Sequence, residues 1–111
     1  MDNLLTVAFE AHHPDRNRHR RYRLTVVRDL FGDWSLTAEY GRVGTGGQVK
    51  RFAGPDQEGV RAEIRARLLR RLSAPRRIGC PYRVTALDAA TGFDAAAWLP
   101  AELLARFDED R

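Results

Sequence analysis

Residues 3–10 alternate between apolar and polar positions, with Leu5, Val7 and Phe9 on one side, and predict a strand. His12-His13-Pro14-Asp15-Arg16-Asn17 follows as a polar connection, with Pro14-Asp15 as its turn signal. Tyr22, Leu24 and Val26 then alternate in a second strand, and Phe31-Gly32-Asp33 makes a tight turn. Trp34, Leu36, Ala38 and Tyr40 share one face of a third strand. Gly41, Gly44, Gly46 and Gly47 punctuate a hairpin whose tip is Thr45-Gly46 or Gly46-Gly47. Gln48, Lys50 and Phe52 run back as a fourth strand.

The period then becomes helical. Gly54-Pro55-Asp56 supplies the start chemistry, and Pro75 the stop. Val60, Ile64, Leu68 and Leu72 form the buried stripe, which Leu69 widens. Arg61 and Arg65 border it, with stems that can pack and heads that reach water. Tyr82, Val84 and Ala86 predict a fifth strand. After Asp88 the chain turns Ala-rich and acidic, breaks at Thr91-Gly92, and places Trp98, Leu99, Leu103, Leu104 and Phe107 in a helix starting near Pro100. The expected fold class is α+β: an antiparallel sheet of about five strands with one main helix packed across it, plus a short C-terminal helix. Residues 1–87 are expected to form the domain and residues 88–111 an extension.

Composition narrows the function. A chain of 111 residues is one domain, too small for a cofactor domain joined to a catalytic one. No apolar run approaches the ~18 residues of a membrane span. The start, Met1-Asp2-Asn3, is acidic, and Thr6 and Glu10 interrupt the apolar stretch behind it, so a signal peptide is not expected. One cysteine, Cys80, excludes an internal disulfide and a multi-thiolate metal site and reads as a small buried filler. A reducing, cytoplasmic location and no membrane partner are the expectations.

The charge is segregated along the chain. Residues 11–83 carry 17 basic groups against 7 acids, while residues 84–111 have a net charge of −4. Arginine outnumbers lysine 18 to 1, which a GC-rich genome or phosphate recognition would each favour. The segregation fits an anionic partner such as nucleic acid, and equally a solvated basic surface.

The most informative stretch runs from Trp34 to Gln48. Trp34-Ser35-Leu36, then Tyr40-Gly41-Arg42-Val43-Gly44-Thr45, then Gly47-Gln48 resembles the WGR domain family, named for a Trp-Gly-Arg triplet at this place. Arg21-Tyr22-Arg23-Leu24, Asn17, the turn before Trp34, the basic helix, and Gly79 with Tyr82 extend the likeness over residues 4–83. The chain departs where Tyr40 replaces the triplet Trp, where Cys80-Pro81 separates Gly79 from Tyr82, and after residue 83, where no counterpart is recognised. WGR domains occur in poly(ADP-ribose) polymerases, where they help bind broken DNA, and as small bacterial chains. This chain resembles the second kind. The resemblance implies a nucleic-acid-binding module, with Tyr40 in the position that packs on a sugar.

Each candidate residue has two readings. Tyr40 either continues the inward parity of Trp34, Leu36 and Ala38 or, if Gly41 marks a bulge, faces a ligand. Arg42 either grips phosphate or makes a salt bridge, with Glu39 a possible partner. Gly44, Gly46 and Gly47 either expose N–H groups to an anion or satisfy positive φ. Gln48, Lys50 and Arg51 lie beyond the hairpin as further contacts. Arg18, Arg20, Arg21 and Arg23 are expected beside Arg67, Arg70 and Arg71 as one cationic surface, unless Asp108-Glu109-Asp110 shields it. His12, His13 and His19 read as exposed loop histidines, so no metal or cofactor is expected. No Ser-His-Asp, phosphate-loop or dinucleotide signature appears, so no enzyme is expected. The main reading is a module for DNA ends, nicks or junctions. The alternative is a protein-interaction adaptor docking through Trp98, Leu103 and Phe107.

Overall fold

The alternating segments pair into one antiparallel sheet in the computed structural model, which describes residues 2–54, 56–73 and 81–110, with the side chains of 3–54, 56–73 and 81–105. Strands β1 (Asp2–His13), β2 (Arg18–Arg28), β3 (Trp34–Arg42) and β4 (Gln48–Ala53) form a meander. After helix α1 (Gln57–Leu72), strand β5 (Arg83–Ala89) returns to pair with β1, giving the order β4-β3-β2-β1-β5. A 3-10 turn at Ala95–Ala97 and helix α2 (Ala101–Asp110) complete the expected α+β architecture.

Strand parity decides what is buried. Leu5, Val7 and Phe9 from β1, Tyr22, Leu24 and Val26 from β2, and Leu36 and Ala38 from β3 face one side. Helix α1 covers that side with Val60, Ile64 and Leu68, one per turn. Its first turn is fixed by Asp56, whose side chain accepts from the Gly59 N–H at 2.9 Å, a cap worth about 1 kcal/mol. Pro55, Pro75, Gly79 and Cys80 lie outside the described residues.

The structure corrects one expectation and decides two alternatives. First, His12 and His13 are not loop residues. They extend β1 and pair with His19 and Arg18, leaving Pro14–Arg16 as a short turn closed by Asn17 at φ 49°. Ladder hydrogen bonds override the polar composition there, and asparagine tolerates the left-handed backbone. Second, β3 has no bulge; its register with β2 and β4 is unbroken, so Tyr40 keeps the inward parity. Gly41 serves close packing instead: a Cβ there would lie 2.7 Å from the Gly47 Cα. Third, Trp98 and Leu103 are buried in the same core as α1, which removes them as an exposed docking site. The side chains of Phe107 and Asp108-Glu109-Asp110 lie outside the described set.

Candidate nucleic-acid interface

The site grows from one cross-strand pair. Tyr22 and Tyr40 are register partners on β2 and β3, and their rings stack at 5.9 Å with 26° between planes. Tyr22 is buried, whereas Tyr40 is half-buried, and the Tyr40 hydroxyl donates to Gln48 Oε1 at 3.1 Å. The last turns of α1 bring two guanidinium groups onto this pair. Arg71 lies 3.5 Å from the Tyr22 ring centroid and 6.0 Å from that of Tyr82. Arg67 Nη1 donates to the Tyr22 hydroxyl at 3.0 Å, and its Nε donates to Glu63 Oε1 at 2.9 Å.

Their electrostatics diverge. Burial opposes the charge of Arg67, yet its bonds to Tyr22 and Glu63 outweigh that and hold its pKa above the ordinary arginine value. Burial, with repulsion from Arg70 and Arg67, pushes Arg71 below it, and the two tyrosines offset only part of this. Both remain charged at neutral pH, because arginine does not deprotonate in proteins. Arg71 Nε is buried without a hydrogen-bond partner among the described residues.

The neighbouring hairpin is laced by side chain to backbone. Arg42 donates from Nη1 to the Asn17 carbonyl at 3.0 Å and from Nη2 to Asn17 Oδ1 at 3.1 Å. Its partner is therefore an amide residue and not Glu39, which strand parity turns to the other sheet face. Arg21 Nη2 donates to the Thr45 and Gly46 carbonyls at 2.7 and 2.8 Å, holding the hairpin tip. Gly47 sits at φ +64°, and a Cβ there would run into the Tyr40 carbonyl and the Arg21 guanidinium.

Two adjoining grooves meet at Tyr40 and Arg71. The first, about 530 Å³, is lined by Arg16, Asn17, Arg18, His19, Arg20, Arg21, Tyr22, Tyr40, Gly41, Arg42, Arg71 and Tyr82, with no carboxylate among them. The second, about 450 Å³, is lined by Tyr40, Lys50, Glu63, Ala66, Arg67, Arg70 and Arg71. Glu63, the one carboxylate among its described lining residues, is bonded to Arg67.

Most of the predicted residues converge here. Arg18, Arg20, Arg21, Tyr40, Arg42 and Arg71 line the first groove, and Lys50, Arg67 and Arg70 the second. Gln48 stands beside Tyr40. Arg51, paired with Thr37, and Arg23, paired with Glu39, face the opposite side of the sheet. Sequence reasoning undervalued Tyr22, whose parity reads simply as core, and gave no signal that Asn17 would occupy Arg42.

The WGR domain model matches residues 5–72, from β1 through the last turn of α1. The chain belongs to the WGR family. No curated protein and no solved structure matches it. The WGR match contains every groove-lining residue except Tyr82, and it ends before β5 and α2.

Proposed function

We propose that this WGR protein is a non-enzymatic module that binds nucleic acid, DNA in particular, across the two grooves at the hairpin end of the sheet. The observation that carries this reading is the first groove, which has six arginines, three tyrosines and no carboxylate among the described residues that line it. Arg16, Arg18 and Arg20 serve as phosphate contacts along one groove, and Lys50 and Arg70 along the other. Tyr40, at the junction, offers a ring edge and face to a sugar or an unstacked base. Arg42, with its fork engaged by Asn17, mainly positions the hairpin. Two grooves that share Tyr40 and Arg71 offer a strand end, nick or junction a stacking ring between two sets of cations. A cytoplasmic setting fits the single cysteine, and among the described residues no helix is long and apolar enough to cross a membrane.

The test is fluorescence anisotropy with blunt, nicked and single-stranded DNA over a range of salt. On duplex substrates log affinity falls with log salt by about 0.9 per phosphate contacted. Tyr40→Ala weakens the best substrate by roughly 5- to 150-fold, the equivalent of about 1–3 kcal/mol for one stacked base. Arg42→Ala weakens it less, through hairpin position. Weak binding that is equal on all three substrates and indifferent to both substitutions would reduce the role to generic charge attraction.

A further inference from the structure

A second cluster lies at the β1–β2 end of the sheet, bordering the first groove, which His19 also lines. His12 and His19 are register partners there, with ring centroids 5.1 Å apart. Their Nδ1 atoms face each other at 2.8 Å, and His12 Nε2 lies 2.8 Å from Glu10 Oε1. We propose that His12 and His19 form a two-imidazole site for a divalent transition metal, with Glu10 orienting His12 from behind.

The hydrogen-bond chain sets the tautomers. An ionised carboxylate only accepts, so His12 Nε2 carries the proton and donates to Glu10. In neutral His12 the lone pair is then on Nδ1, aimed at His19 Nδ1. A carboxylate on the far nitrogen of a histidine is the arrangement that fixes metal-ligating imidazoles and raises their basicity. A metal between the two Nδ1 atoms replaces that hydrogen bond, and the proton of neutral His19 moves from Nδ1 to Nε2, so that both rings ligate as neutral imidazoles. Metal–nitrogen bonds of about 2.0–2.1 Å place two tetrahedral ligands roughly 3.3 Å apart, so the rings open by about half an ångström. The His12 side chain is 43% exposed, which gives ions and water access. No set of three or more such ligands converges among the described residues, so water completes the shell and the affinity is modest. Imidazole donors with open positions favour Cu²⁺ over Zn²⁺. Occupancy would staple β1 to β2 beside Asn17, which holds Arg42, and where the His19 carbonyl accepts from the Val43 N–H.

The test uses the full, untagged chain with CuCl₂ or ZnCl₂ alone, at about pH 7.5 where free imidazole is neutral. Calorimetry is expected to show one ion per chain, tighter for Cu²⁺, and a metal-dependent rise in Tm. His12→Ala and His19→Ala each remove both effects, and His13→Ala leaves them. Glu10→Ala weakens binding by about 10- to 100-fold at unchanged stoichiometry, as loss of an outer-shell partner does. On Zn²⁺ addition to the unsubstituted chain, the ring nitrogen resonances of His12 and His19 shift and those of His13 do not. Absence of binding, binding that survives the double His12→Ala, His19→Ala change, or unmoved His12 and His19 resonances overturns the proposal.

Discussion

At the hairpin end of the sheet, Arg71 covers Tyr22 and Tyr22 stacks on Tyr40. At the turn end, Arg28 lies 5.5 Å from the Trp34 ring, Trp34 stacks on Trp98 at 5.4 Å, and Arg61 lies 5.2 Å from the Trp98 ring. Both ends therefore use a stacked aromatic pair with guanidinium groups on it, and both bury an arginine Nε with no hydrogen-bond partner among the described residues, Arg71 in one case and Arg61 in the other. What differs is the surroundings. Phe93, Leu99 and Leu103 pack around Trp98, and Glu58 stands 3.8 Å from Arg61. Around Tyr40 the rim is cationic and grooved. Cation–π stacking is a structural device at both ends. What sets the hairpin end apart is its rim, where Tyr40 is left half-buried beside two grooves lined by arginines.

The largest expected effects break this comparison most directly. Trp98→Ala removes a side chain only 2% exposed and should destabilise the fold by about 3–5 kcal/mol, read from urea or thermal unfolding. Tyr40→Ala, half-buried, should cost clearly less stability while carrying the loss in DNA affinity. A Trp98→Ala protein with normal stability but impaired DNA binding would mean that the two ends have been assigned the wrong way round.

Glycine substitutions sharpen the picture of the hairpin end. Gly44 and Gly47 both have positive φ, yet nothing lies within 4 Å of a Cβ at 44. Gly44→Ala should cost about 1 kcal/mol, from backbone conformation alone. Gly47→Ala adds collision with the Tyr40 carbonyl and the Arg21 guanidinium, so at least about 2 kcal/mol is expected. Equal unfolding midpoints for the two variants would show that the hairpin neck is looser than its packing indicates.

The strands were legible wherever a buried face alternates with a solvated one, as in Leu5, Val7, Phe9 and in Leu36, Ala38. The helix was legible through its four-residue stripe and its Asp56 cap. His12 and His13 were not, because two polar neighbours show no alternation and their strand conformation comes from pairing with β2. Strand parity already separates Arg51 from Tyr40, but it does not reveal that Arg42 meets Asn17 or that Arg71 meets Tyr22, since both contacts join segments far apart in sequence. Trp98 was obscured for the same reason. Its Ala-rich, acidic surroundings resemble an appended tail, and only the packing against Trp34 and Leu103 draws it into the core.

The smallest expected effect tests whether exposure at the turn end has any structural role. Leu30 and Phe31 are 88% and 91% exposed at the β2–β3 turn. Asp29 alone can fix that turn: its Oδ1 accepts from the Phe31 and Asp33 N–H groups at 2.8 and 3.0 Å, and its N–H donates to the Asp33 carbonyl at 3.0 Å. Leu30→Ser and Phe31→Ser should therefore change stability by no more than about 0.5 kcal/mol, as surface substitutions do. Both should also leave DNA affinity unchanged, because the turn and Tyr40 lie at opposite ends of β3. A loss of more than about 1 kcal/mol in either variant would mean that these side chains pack in solution. The turn end would then owe its order to apolar contact as well as to Asp29.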